Sequence, residues 1–152
     1  MASMKKNLDK RDWLLLVIAA ANGHSVSPVQ LQKALFLIGR NLSAAQLRCK
    51  SFYDFRPYDY GPFDSYIYRD AERLQEEGNV IITAPSTRTY REYVATTVGL
   101  EKARLVKDQL DATTQGFLEN VVKWVRAVSF SELVRAIYRA YPEMKVNSVF
   151  QG

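Results

Sequence analysis

Cysteine and histidine are nearly absent from the 152-residue sequence, where Cys49 and His24 stand alone. One cysteine excludes an internal disulfide framework and any multi-cysteine zinc site, and one histidine excludes every two-histidine metal motif. No run of 18 apolar residues occurs, and Met1 to Lys10 is charged, without the apolar core and small-residue cleavage site of a secretion signal. A cytoplasmic protein that does not span a membrane, and that holds no metal or cofactor, is therefore expected. A glycine-rich phosphate loop and a Gly-x-Ser-x-Gly elbow are also missing. The carboxylates are scattered over helical positions and read as a solvated face, so no catalytic residue is assigned and enzyme activity is not expected. Internal repeats and low-complexity linkers are lacking too, which leaves residues 1 to 152 as a single domain.

What is present is a core. Hydrophobic residues make up 47% of the chain, and a domain of about 150 residues buries roughly 68 to 70% of its unfolded surface, so folding needs no staple. The net charge of +5 permits contact with nucleic acid without demanding it.

The periodicity predicts six helices and one hairpin. Trp13 to Ala21 is apolar on all sides, with Asp9 before it as a cap and Asn22-Gly23 as a stop, which marks a central buried helix. Ser27-Pro28-Val29-Gln30 combines a capping box with proline at the first helical position and opens a second helix running to about Leu42. Phe52 to Tyr60 alternates poorly and contains Pro57, so it is read as an extended, aromatic-rich loop. Gly61-Pro62 then opens a third helix, with Phe63, Ile67, Ala71 and Leu74 inward, that stops at Gly78.

Asn79 to Thr83 and Glu92 to Thr97 form a hairpin with a long tip. Thr96 or Thr97 caps a fourth helix to about Leu110. Thr113-Thr114 precedes a fifth with Phe117, Val121, Trp124, Val125 and Val128 on one face, and Ser129-x-x-Glu132 boxes a sixth that ends at Pro142. The last residues, Met144 to Gly152, lack periodicity and order only against a partner or the sixth helix. The class is mainly α with one β-hairpin (α+β), a winged-helix-like core followed by a C-terminal helical pair.

Three helices and a hairpin in this order suggest a winged helix-turn-helix. Two features oppose simple DNA reading. The third helix region carries Asp64, Asp70, Glu72, Glu76 and Glu77 against only Arg69 and Arg73, and about 20 residues separate the second and third helices where a helix-turn-helix has a short turn. The hairpin offers Arg88 and Arg91 as nucleic-acid contacts, too few for strong counterion release. A winged-helix transcriptional regulator, dimerising through the fifth and sixth helices, is the alternative reading.

The string Ser27-Pro28-Val29-Gln30-Leu31-Gln32-Lys33-Ala34-Leu35-Phe36, followed by Tyr58-Asp59-Tyr60-Gly61-Pro62-Phe63, Tyr68 and Leu74, resembles the Panacea domain family, which includes the SocA-like antitoxins. The resemblance covers about residues 14 to 103; residues 104 to 152 form a C-terminal extension beyond it. It implies a small helical bacterial or phage domain that neutralises a toxin encoded alongside it, with some relatives delivering the bound toxin to a protease.

Eight of the 18 aromatic residues fall between Phe52 and Tyr68, which makes this segment the candidate site. Tyrosine and arginine dominate interface hot spots because they bury much area at small entropic cost. The partner-binding residues expected are Tyr53, Arg56, Tyr58, Tyr60, Phe63, Tyr66 and Arg69, docking with the acidic third helix on a basic protein toxin. A stacking platform for single strands, with Arg48, Lys50, Arg56 and Arg69 among the rings, is weakened by Asp54, Asp59 and Asp64. Cys49, between Arg48 and Lys50, is expected to have a lowered thiol pKa but no base beside it. Lys5, Lys6, Lys10 and Arg11 form the densest basic patch, read as a solvated terminus.

Overall fold

The computed structural model describes residues 7–151. It is mainly helical, with seven helices and two small antiparallel two-stranded sheets among those residues. No helix among them is long and apolar enough to cross a membrane.

Helix α1 (Lys10–Ala19) starts from a reciprocal capping box in which the Asp12 N–H donates to Asp9 and the Asp9 N–H donates to Asp12. Every residue from Trp13 to Ala19 is buried, and the Trp13 indole donates to the Leu47 carbonyl at 2.8 Å. Helix α2 (Pro28–Asn41) opens on the expected Ser27–Gln30 box with Pro28 at its first turn. It packs against α1, the later helix α6 (Ala112–Ala127) and strand β2 (Gly61–Phe63). Being covered on three sides, it buries Gln32 and Lys33 together with its apolar face.

Between α2 and the third predicted helix the chain is more ordered than a loop, and the Phe52 to Tyr60 segment itself contains a strand. A single turn, α3 (Ala44–Leu47), is boxed by Ser43 and Gln46. Strand β1 (Arg56–Tyr58) then pairs with β2, with Arg56 opposite Phe63, Pro57 opposite Pro62 and Tyr58 opposite Gly61. Neither proline can donate to a ladder, and placing the two opposite each other confines both to a position that needs no donor. Gly61 takes φ +104 just after the Asp59-Tyr60 turn, a conformation that a side chain would strain. The single expected hairpin is thus joined by a second. The third predicted helix starts five residues later than expected, as α4 (Tyr66–Glu76), because Gly61-Pro62-Phe63 is spent on the strand.

Strands β3 (Val80–Thr83) and β4 (Glu92–Ala95) form the expected hairpin, and Val26 bridges to Tyr93 on the outer side of β4. Thr96 caps α5 (Thr97–Lys107), its side chain accepting from the Gly99 N–H while its hydroxyl donates to the Gly78 carbonyl. A Cβ on Gly99 would sit 1.9 Å from the Asn79 carbonyl oxygen. Gly99→Ala is therefore expected to push α5 off the hairpin and cost about 2 to 3 kcal/mol. Denaturant unfolding checks it; wild-type stability in the variant would contradict this packing.

Helix α5 ends before Leu110. Asp111, in place of Thr113 or Thr114, caps α6 by accepting from the Thr114 N–H at 2.8 Å. Trp124, expected inward, is exposed. Helix α7 (Phe130–Ala140) has the Ser129–Glu132 box. The last two helices are not principally a pair: α6 packs on α2, whereas α7 packs on a 3₁₀ turn (Pro142–Lys145) and on β2. The non-periodic tail is ordered against the new hairpin. Val149 donates its N–H to the Asp59 carbonyl at 2.9 Å, Ser148 donates its hydroxyl to the same oxygen, and the Asn147 amide donates to the Pro57 carbonyl. One cluster of buried apolar residues runs from Leu8 to Met144.

Candidate protein-docking face

Asp64 organises the aromatic segment. The buried Gln32 side chain accepts from the Asp64 N–H at 2.9 Å and donates to the Asp64 carbonyl at 3.0 Å. The Asp64 carboxylate accepts from the Asp54 N–H at 2.8 Å and from the Tyr66 N–H at 2.9 Å. The second contact replaces the missing cap, because Ser65 makes none. One carboxylate thereby ties α2, the β1–β2 hairpin and the start of α4 together.

On this frame the seven predicted partner-binding residues divide. Tyr58 and Tyr66 are 53% and 52% exposed. Tyr58 lies stacked on Phe63, ring centroids 4.9 Å apart at 25°, and Phe63 meets Tyr68 edge-on, which stacks in turn on Tyr93. Tyr66 is flanked by cations, with Arg69 at 4.8 Å and Lys10 at 5.3 Å from its ring centre. Tyr58, Phe63, Tyr66 and Arg69 therefore surround the junction of β2 and α4.

Tyr53 does not join them. It is only 6% exposed, its hydroxyl donates to Asp70 at 2.7 Å, and burial together with that carboxylate drives its pKa far above the ordinary tyrosine range. A hydroxyl satisfied below the surface leaves nothing for a partner, so Tyr53 is a core residue. Arg56 is exposed and held by Asp54 at 2.8 Å, which raises its pKa. Tyr60 turns the other way, meeting Phe130 edge-on at 5.1 Å. There it lines a groove of about 480 Å³ with Val29, Tyr90, Val125, Phe130 and Leu133.

Several acids of the expected docking helix have partners within the fold. Asp64 is buried before α4 begins, Asp70 holds Tyr53, Glu72 pairs with Arg91 and Glu77 with Arg11. Glu76 has no ion pair among the described residues, and the charged groups over the exposed Tyr66 ring are Lys10 and Arg69. Arg88 and Arg91, the alternative nucleic-acid contacts, are engaged by Glu92 at 2.7 Å and Glu72 at 3.5 Å.

Cys49 departs from expectation as well. Burial and the nearby Asp9 and Asp12 push its thiol up to about 11, against a smaller opposing effect of the Trp13 hydrogen bond. His24 is exposed in the turn after α1. Lys5 and Lys6 lie outside the described residues, while Lys10 serves Tyr66 and Arg11 serves Glu77. No cluster of three or more potential metal ligands occurs among the described residues.

Sequence reasoning missed Lys33. It is 3% exposed, its ammonium position donates to the Pro62 carbonyl at 3.1 Å, and burial lowers its pKa to about 7. It packs with Tyr138 around Gly61, where an added Cβ would contact both side chains. Its position between Leu31 and Ala34 was the available signal, since both neighbours belong to a helix enclosed on several sides.

Comparison with protein-family models, with curated proteins and with solved structures finds no match for this chain.

Proposed function

We propose that the chain is a noncatalytic protein-binding domain, an antitoxin of the Panacea type that neutralises a co-encoded toxin by direct contact. The docking surface is Tyr58, Phe63, Tyr66 and Arg69. The observation that carries this reading is that both half-exposed tyrosines are already held: Tyr58 lies on Phe63, and Tyr66 stands between two cations. Rings fixed before binding lose little rotamer entropy on contact, which is how tyrosines become interface anchors. The Gln32–Asp64 clasp and the Gly61-Pro62 strand hold the hairpin that presents Tyr58, and Gln32, Gly61 and Pro62 are among the residues that carry the family resemblance.

The charge beside these rings favours an acidic patch on the partner, in place of the basic one expected from the sequence. Coexpression with the product of the adjoining reading frame tests the function. A stoichiometric complex and rescued growth are expected; a toxic neighbour that neither binds nor is neutralised would refute the reading.

The winged-helix regulator keeps one supporting observation, the β3–β4 hairpin after α4 with Val26 bridged to Tyr93. Ion pairing of Arg88 and Arg91 weighs against it, because a cation held by a carboxylate releases fewer counterions from DNA. Duplex binding that falls steeply with salt would favour the regulator; none at low salt would exclude it.

A further inference from the structure

Half of the exposed arginines are matched to carboxylates, Arg40 to Glu143, Arg56 to Asp54, Arg88 to Glu92, Arg91 to Glu72 and Arg104 to Glu101 and Asp108, while Arg69, Arg73 and Arg126 have no ion pair among the described residues. The cleft between α7 and the C-terminal tail is where unmatched cations gather. Arg135, Arg139 and Lys145 line it together with Tyr138, Phe150 and Gln151, and none of the three cations forms an ion pair among the described residues.

Two acids occur in residues 128–151, and both are drawn away. Glu132 accepts from the Ser129 N–H in the α7 cap, although it lies near enough for Arg135 to lower its pKa, and Glu143 is held by Arg40. The dipole of α7 accounts for one cation in its last turn, Arg139, but not for three converging on one cleft.

Arg135 and Arg139 are one helical turn apart and so share a face. Lys145 projects from the following turn, its ammonium 5.9 Å from the Tyr138 ring centre. The tail wall is built, because Phe150 meets Phe130 and Tyr138 edge-on and its N–H donates to Ser148, which is itself tied to Asp59. The cleft is broad and open to solvent, with a volume of about 610 Å³, within the range of about 300 to 1,000 Å³ typical of small-molecule sites. Guanidinium groups suit phosphate because their planar N–H forks match its oxygens, and an aromatic edge beside them suits a ring.

We propose that this cleft binds a small organic phosphate of nucleotide size, its phosphates on Arg135, Arg139 and Lys145 and its ring against Phe150. The site is separate from Tyr58 and Tyr66 and stands whether or not that face docks a protein.

Titration of the full chain with ADP, inorganic pyrophosphate and adenosine, by calorimetry and by amide chemical shifts, tests the assignment. Saturable ADP binding is expected, tighter than pyrophosphate, weakened by salt and undetectable for adenosine. Shifts should centre on α7 and residues 145–151. Arg135→Ala/Arg139→Ala should weaken ADP about tenfold or more, since charge-assisted hydrogen bonds are worth about 1.5 to 3 kcal/mol each. Arg104→Ala, which removes a paired arginine on α5, should leave ADP affinity unchanged. Absence of saturable ADP binding at roughly millimolar concentration, undiminished binding by the double variant with an unshifted melting temperature, or pyrophosphate binding tighter than ADP would each overturn the proposal.

Discussion

Tyr58→Ala/Tyr66→Ala is expected to abolish partner binding while leaving the isolated domain folded. Each ring is about half exposed, so its removal leaves no internal cavity, and surface changes of this kind move stability by about 0.5 kcal/mol or less. Tyr58 loses a stack on Phe63 and Tyr66 loses two cation contacts, which adds at most a modest loss. At an interface, by contrast, a buried tyrosine anchor is worth about 2 kcal/mol or more, and two together lower affinity by about a thousandfold. Calorimetry against the purified partner, paired with a melting curve of the variant alone, separates the two effects. A well-folded double variant that still neutralises the toxin would remove the docking face from the β2–α4 junction. Tyr53→Phe offers the contrasting case, because its hydroxyl serves Asp70 inside the fold and its loss should act on stability rather than on affinity.

The second large effect concerns Lys33. Its pKa falls from 10.5 to about 7 on folding, because burial disfavours the charged form. Below about pH 7 the folded protein must hold a buried ammonium, and the full penalty applies. As pH rises from about 7 toward 10.5 the folded state has released the proton while the unfolded chain still binds it, so stability increases. Between about pH 7 and pH 8, below the range where the unfolded Cys49 thiol and the tyrosines ionise, the gain is about 1 kcal/mol.

Lys33→Met is expected to remove that slope and to raise stability at about pH 6, despite leaving the Pro62 carbonyl without its donor. Denaturant midpoints measured across this window provide the check. A wild-type slope that survives in Lys33→Met would assign the pH dependence to another group.

How far the sequence disclosed this fold depended on whether its signals were local. Capping boxes at Ser27 and Ser129, the Asp9 cap and the stop at Gly78 are decided by a few neighbouring residues, and each predicted helix with such a mark was found. The same signal stood at Ser43-x-x-Gln46, but only one turn follows it, too short to show a hydrophobic period. The β1–β2 hairpin was hidden by its prolines, which argue against a strand until the register that sets them opposite each other is known.

At the candidate site the aromatic segment was legible, whereas the direction of each ring was not. Tyr53 and Tyr58 are both tyrosines in one irregular run, yet Asp70 draws the first inward and Phe63 supports the second from below. Charge was misread for a similar reason. Counting acids on α4 could not reveal that Arg91, Arg11 and the Tyr53 hydroxyl, all distant in sequence, were already assigned to them.

The tail that holds the first hairpin has a consequence for biogenesis. Asp59 receives Ser148 and Val149 across about ninety positions of chain, so during synthesis the turn bearing Tyr58 and Tyr60 stays unclasped until residues 148 and 149 clear the ribosomal exit. Closing a loop of about ninety residues is entropically costly, so that turn is expected to set late in folding, after the local helices have formed.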